Sequence, residues 1–341
     1  MIDHRKREPA PGIFRLILRL PFKGLERVNA YLLFDPSGST LVDCGIFQRD
    51  EPPDHGWDEL VAALGACEVD VGQVGRLVIT HPHVDHYGMA GRFVEETGAQ
   101  LLMHERSAGD LAAYRNPSEA AESLAVALRE HGVPESDLAE LTAFEDWRAY
   151  VSSVVQPDTA ARDGDTFDCG GRQWRVEHTP GHSSSHICLF SRSDGLLISG
   201  DHLLPTVTPH IDFHAEGEAD PLGDYLGSLD KVAALEPILV LPGHGRPFDE
   251  GAARAGVIAR HHERRLGSIL QVIRQEARTV DEITDEVFGP ELFDFQRRLA
   301  LGEAIAHLVY LCRRGEAERV VRGDGTIAYL KVRRRPGAEE A

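Results

Sequence analysis

The sequence predicts an α/β protein with a small C-terminal appendage, on three observations. Short apolar runs alternate with amphipathic stretches over the first 250 residues. Four of those runs end abruptly in loops of Gly, Pro, His and Asp, and the composition changes after Pro247. At 341 residues, with 42% apolar and 27% charged side chains, the chain has the size of one large domain plus a smaller one and the composition of a globular protein. No run approaches the roughly 20 apolar residues of a membrane-spanning helix. Near the N-terminus Arg15 and Arg19 break up the apolar residues, so this stretch reads as a first strand and not as a secretory signal, and the expected location is cytoplasmic.

Taken in order, Ile13 to Leu20 reads as a strand, and Ala30 to Phe34 with Ser39 to Val42 as a hairpin around a Pro-Ser-Gly turn. Trp57 to Leu64 predicts a helix and Arg76 to Thr80 a short apolar strand. A helix from about Phe93 and a strand at Gln100–His104 follow. Residues 105–160 carry helical patterning, with helices expected at Glu119 to His131 and Glu135 to Tyr150. This helical insertion is a candidate lid or homodimer contact. Strands resume at Gln173 to His178, Ser185 to Ser191 and Leu196 to Ser199, then a helix at Pro221 to Leu235 and a buried strand at Ile238 to Leu241. Beyond Pro247, Leu266, Ile269, Leu270 and Ile273 form the stripe of an amphipathic helix. A short helix near Asp281–Phe288, a longer one presenting Ile305, Leu308, Val309 and Cys312, and two strands around Gly323-Asp324-Gly325 complete the layout of a winged helix. The expected organisation is a catalytic domain over residues 1–250 and a winged-helix-like domain over 255–335.

The net charge of −19 comes from 36 basic and 55 acidic residues. From His261 onward the 14 basic and 14 acidic residues cancel, so the first 260 residues carry the whole excess. Such an acidic body repels a phosphate backbone, which makes nucleic acid a disfavoured partner. The five cysteines form no CxxC pair, as expected of buried thiols in a reducing compartment.

The chemistry lies in the four strand-end loops. They are His81-Pro82-His83-Val84-Asp85-His86, Thr179-Pro180-Gly181-His182, Ser199-Gly200-Asp201-His202 and Leu241-Pro242-Gly243-His244-Gly245. Strand-end loops are where an α/β scaffold gathers functional side chains. Imidazole and carboxylate donors without sulfur suit zinc, manganese or iron(II). An H-x-H-x-D-H string arises by chance in about two of a thousand chains of this length, and three further loops of the same kind remove coincidence.

These loops, together with the acidic residue of Leu41-Val42-Asp43-Cys44-Gly45, resemble the motifs of the metallo-β-lactamase superfamily over roughly residues 13–250. The resemblance implies an αββα sandwich. It implies that His81, His83 and His182 hold one metal, that Asp85, His86 and His244 hold a second, and that Asp201 bridges the two. Asp43 is then the carboxylate that orients a ligand histidine. Seven donors exceed the four of one tetrahedral ion, which agrees with two divalent ions, zinc first among them with iron or manganese as alternatives. In such a centre a metal-bridged hydroxide attacks the substrate, and Asp85 and Asp201 are the carboxylates expected to act in catalysis. His210, His214 and Tyr225 are candidate pocket residues. His104, His131, His186, His202, His261, His262 and His307 read as structural or solvated.

Departures from the family's branches narrow the chemistry. His83 stands where the diiron oxygen-reducing branch has Glu, and no flavodoxin domain follows. Asp201 stands where the best-known antibiotic-hydrolysing class has Cys. Only 43 residues separate Asp201 from His244, too few for the domain inserted there in RNA-processing members. The remaining branch is similar to glyoxalase II and lactonases, although the helical C-terminal domain that holds glutathione in the former is missing. The expected function is hydrolysis of a small carboxylic ester, thioester or lactone. The alternative is a metal-dependent endoribonuclease of the subgroup that carries a C-terminal winged helix.

Overall fold

Alternate residues of the first sheet face two different layers, and this pattern builds the sandwich. In β2 (Leu25–Leu33), Val28, Ala30 and Leu32 enter one apolar core while Tyr31 and Leu33 enter the other. In β5 (Gln100–His104), Leu101 and Met103 point to the first core and Leu102 to the second. A strand buried on both faces reads as a continuous apolar run, which is why Leu77-Val78-Ile79 shows no polar alternation. The computed structural model describes residues 8–48, 55–142, 147–213, 220–292 and 294–333.

The first sheet has the order β1 (Ile13–Phe22), β2, β3 (Ser39–Val42), β4 (Val74–Val78), β5, β6 (Thr159–Ala161). It is antiparallel through β3 and parallel from β3 to β6. The second sheet runs β12 (Phe248–Asp249), β11 (Leu239–Pro242), β10 (Leu196–Gly200), β9 (Ile187–Ser191), β8 (Arg172–His178), β7 (Thr166–Cys169), with only β10 and β11 parallel. The core between the sheets joins Ile13, Tyr31, Val42 and Val78 to Trp174, Val176, Ile187 and Ile198. On the outer face of the first sheet, Trp57, Leu60 and Leu64 of helix His55–Gly65 and Phe93 of helix Ala90–Thr97 close the other core. Helix Pro221–Ala234, with Leu222, Tyr225, Leu229 and Val232 buried, supplies the remaining helical layer. The αββα sandwich that the motifs imply is therefore present.

Two compact units divide the chain: Met1–Ala120 with Phe144–Pro209 and Asp224–Ile258, and Ala121–Ala143 with His210–Gly223 and Ala259–Ala341. In the second unit, helices Val280–Phe288 and Asp294–Arg313 accompany an antiparallel sheet of order β13 (Arg278–Thr279), β15 (Ile327–Lys331), β14 (Ala317–Val321). Thr279 starts the first of these helices with a capping box. Its hydroxyl accepts from the Glu282 N–H at 3.2 Å, and Glu282 accepts from the Thr279 N–H at 2.8 Å.

The structure departs from the sequence reading in several places. The helix expected over Glu135 to Tyr150 ends at Leu141, where Thr142 leaves helical geometry and turns its hydroxyl back onto the Leu138 carbonyl. The short strands β6, β7, β12 and β13 carry too few residues to show a period. The helix bearing the Leu266 stripe starts already at Gly251. Helix Ala90–Thr97 starts before Phe93.

Candidate metal centre

Five strand ends deliver the candidate side chains to one place. Asp43 follows β3, the His81–His86 loop follows β4, His182 follows β8, Asp201 follows β10 and His244 ends the loop after β11. Asp85 and His86 lie on the one-turn helix Val84–Tyr87, with His83 at its N-cap position. The backbone ties these ends together across both sheets: Ile187 N–H donates to the Thr80 carbonyl at 2.9 Å, Gly243 N–H to Gly200 at 2.7 Å, and Asn29 N–H to Gly243 at 2.7 Å.

The donors fall into two groups that share Asp201. His81, His83 and His182 each offer an atom within 4.8 Å of the others, and so do Asp85, His86 and His244. His81 Nε2 lies 3.0 Å from His83 Nδ1. Asp201 Oδ1 lies 3.4 Å from His86 Nε2, while Oδ2 lies 3.7 Å from His182 Nε2 and 3.4 Å from His244 Nε2. His244 Nε2 is 3.1 Å from Asp85 Oδ2.

Three of the five imidazoles have a fixed partner on the far ring nitrogen. His86 Nδ1 donates to Asp43 Oδ2 at 2.7 Å, His244 Nδ1 donates to the Arg27 carbonyl at 2.8 Å, and His81 Nδ1 lies 3.0 Å from the Thr80 hydroxyl. A proton fixed on Nδ1 turns the Nε2 lone pair inward, which is how ligand histidines are oriented. The residues present therefore fit divalent cations.

The electrostatics agree. Burial and the neighbouring His86 and His83 push His81 well below the ordinary imidazole range, and burial with His182 pushes His83 to about 3. Burial also works against charging His86 and His244. Asp201 and Asp85 nevertheless raise His86 well above its usual value, and Asp201 with Asp85 takes His244 to about 10. Burial would raise Asp85 and Asp201, yet the histidines hold Asp85 at about 2 and Asp201 well below the carboxylate range. These carboxylates thus favour the protonated forms of His86 and His244 where no cation is bound, and cation binding would release those protons.

A family model described as the metallo-beta-lactamase superfamily matches residues 24–244. The chain belongs to the metallo-β-lactamase superfamily. Membership makes it a metal-dependent hydrolase in its broad class. A model for the metallo-beta-lactamase-like C-terminal domain matches residues 266–332. The chain is 27% identical over 311 residues to the probable metallo-hydrolase YqjP of Bacillus subtilis, covering 87% of this chain and 91% of the other. It is 28% identical over 262 residues to the acyl-coenzyme A thioesterase MBLAC2 of Homo sapiens, covering 75% of this chain and 85% of that one. Among solved structures, the metallo-beta-lactamase family protein TTHA1429 of Thermus thermophilus superposes with a TM-score of 0.80 at 30% identity, covering 95% of this chain and 99% of that chain.

Of the remaining candidates, Tyr225 and His210 are among the described residues. Tyr225 is fully buried, and its hydroxyl donates to the His202 carbonyl at 2.9 Å. It packs under Gly181, whose φ of +134° and missing side chain let the Tyr225 backbone come close. His210 belongs to the second unit, where it faces Asp212 and Glu303. His214 lies outside the described residues.

The superfamily motifs are braced by residues that the sequence reading passed over. Asn29 donates to the Pro242 and Gly245 carbonyls at 2.8 and 2.9 Å, and the Tyr31 hydroxyl donates to Pro242 at 2.8 Å. His186, read as structural, accepts from the Asp201 N–H at 3.2 Å while its other nitrogen meets the Thr179 hydroxyl at 2.8 Å. Asp110 accepts from the hydroxyls of Ser184 and Ser185, both at 2.6 Å, and so holds the loop after His182.

Gly243 is a crowded point of the centre. A Cβ there would lie 2.3 Å from Asp201 Oδ1 and 2.7 Å from His86 Cε1. Gly243→Ala should therefore displace both donors, weaken metal retention at least about tenfold and leave the fold intact. Competition with a chromophoric chelator measures that loss, and wild-type metal affinity in the variant would contradict the arrangement.

Proposed function

We propose that the chain hydrolyses a small carboxylic thioester, ester or lactone at a dinuclear centre, with zinc as the first choice of metal and iron or manganese as alternatives. In this reading His81, His83 and His182 hold one ion, Asp85, His86 and His244 the other, and Asp201 bridges them. The observation that carries it is the double-faced Asp201, whose two oxygens look toward His86 on one side and toward His182 and His244 on the other. Two divalent ions bound there would supply an activated water at neutral pH and would polarise the acyl oxygen. Asp43 fixes the orientation of His86, Thr80 that of His81, and His186 the backbone of Asp201. Asp85, buried and ionised, is placed to orient water or take its proton. The thioesterase name of the human relative ranks thioesters first in the acyl class.

The same reading assigns residues 1–250 to catalysis and 255–335 to a winged-helix-like module that packs and does not read nucleic acid. Its arginines support this: Arg297 pairs with Asp281 and with Asp285 at 2.8 Å, Arg298 lies 3.9 Å from Asp212, and Arg314 pairs with Glu316 at 2.6 Å. Guanidinium groups already engaged by carboxylates form a poor phosphate track. No helix among the described residues is long and apolar enough to cross a membrane, and the cysteines form no disulfide, which supports a cytoplasmic location.

A panel of acyl thioesters, esters, lactones and single-stranded RNA tests the reading. Turnover should be confined to acyl substrates, vanish on chelation and return with zinc. Cleavage of RNA alone, weakening steeply with salt, would overturn it in favour of a nuclease.

A further inference from the structure

The second unit gathers another set of metal-binding side chains, none of them among the family motifs. Glu303 and His307 stand one turn apart on helix Asp294–Arg313, on the same face, and His262 of helix Gly251–Val272 meets them. His262 and His307 are fully buried. One donor atom of each of the three lies within 4.8 Å of the others, and His262 Nδ1 is 3.1 Å from His307 Nε2.

The ring of His307 is oriented as ligand histidines are. Its Nδ1 donates to the Glu303 carbonyl at 2.7 Å, which leaves the Nε2 lone pair facing His262. Burial, with the neighbouring His307, pushes His262 to about 3, and burial pushes His307 to about 4, so both imidazoles stay neutral at physiological pH. Burial works against an ionised Glu303, yet His210 and His307 hold it at about 2. Arg265 at 3.2 Å and His210 at 3.7 Å share that carboxylate. Two neutral, buried imidazoles and one half-buried carboxylate are a nitrogen–oxygen donor set for zinc or a similar divalent ion.

We propose that His262, Glu303 and His307 form a structural site for one divalent transition-metal ion that clamps two helices of the second unit. The burial of the imidazoles leaves no room for a reacting substrate, so the ion would hold the fold and take no part in turnover.

The full chain, stripped with a chelator and titrated with zinc alone, provides the test. His262→Gln/His307→Gln should bind one ion fewer per chain than the wild type, with acyl turnover at saturating zinc within about twofold of it. In the wild type, zinc at about 100 times Kd should slow amide exchange across residues 300–313 by about a hundredfold, and the double variant should lose that protection. Equal stoichiometry in the two proteins would overturn the proposal. If the double variant does not fold, the wild type decides alone: slowed exchange at 300–313 supports the site, and unchanged exchange overturns it.

Discussion

Asp201→Ala is expected to lower acyl turnover by about 10³-fold, corresponding to several kcal/mol of lost charge stabilisation at the reacting acyl group. Asp201 faces both groups of donors, at 3.4 Å from His86 and from His244 and at 3.7 Å from His182. Its removal separates the two groups and takes away a negative charge that would balance the ions. Metal content should fall by about one ion per chain. The variant should keep its far-ultraviolet circular dichroism, because the apolar cores between and outside the sheets do not depend on Asp201. Asp201→Asn should recover part of the metal content, since an amide oxygen still binds one ion, but little of the rate. Turnover and metal content that both survive the Ala change would show that the ligand assignment is wrong.

Asp43 acts one step back from the metals, and its loss should reach them through His86. Its carboxylate accepts the His86 Nδ1–H at 2.7 Å, the Thr80 N–H at 2.8 Å and the Thr80 hydroxyl at 2.9 Å, all buried. It does so from a left-handed backbone, φ 59°, which Asp and Asn tolerate better than most residues. Asp43→Asn keeps the backbone preference and the Thr80 contacts but offers His86 a mixed donor and acceptor, so the imidazole can turn its proton inward. Metal affinity should drop about 10–100-fold with little change in stability. Asp43→Ala should show the same metal defect together with a loss of about 1–3 kcal/mol, because the Thr80 N–H is then buried without an acceptor. Denaturant midpoints and chelator competition separate the two effects. Equal metal affinity in Asp43→Asn and the wild type would remove Asp43 from this role.

The donors of the centre were legible because each stands at a strand end inside a short, spaced string. The fold followed from the same feature, since strands buried on both faces leave continuous apolar runs such as Leu77-Val78-Ile79. What escaped the sequence works through contacts without local spacing. Asn29 and Tyr31 reach carbonyls more than 200 residues away, His186 acts on the Asp201 backbone from the loop before β9, and Asp110 reaches Ser184 and Ser185 from a short helix. A lone Asn or His carries no pattern that reveals such a partner. His262 and His307 read as structural or solvated for the same reason: Glu303-x-x-x-His307 has helical spacing, but nothing in the string indicates that His262 lies opposite. The start of the helix at Gly251 was hidden because its first turns present small residues, among them Ala252, Ala253 and Ala255, in place of a large apolar stripe.

Anomalous diffraction at the zinc edge, from crystals grown with zinc present, tests the central claim most directly. The account predicts two peaks about 3.5–4 Å apart, the spacing of two-metal hydrolases. One should lie against His81, His83 and His182, the other against Asp85, His86 and His244, with Asp201 contacting both. A single peak, or none, among these residues in a chain that still turns over acyl substrates would contradict it.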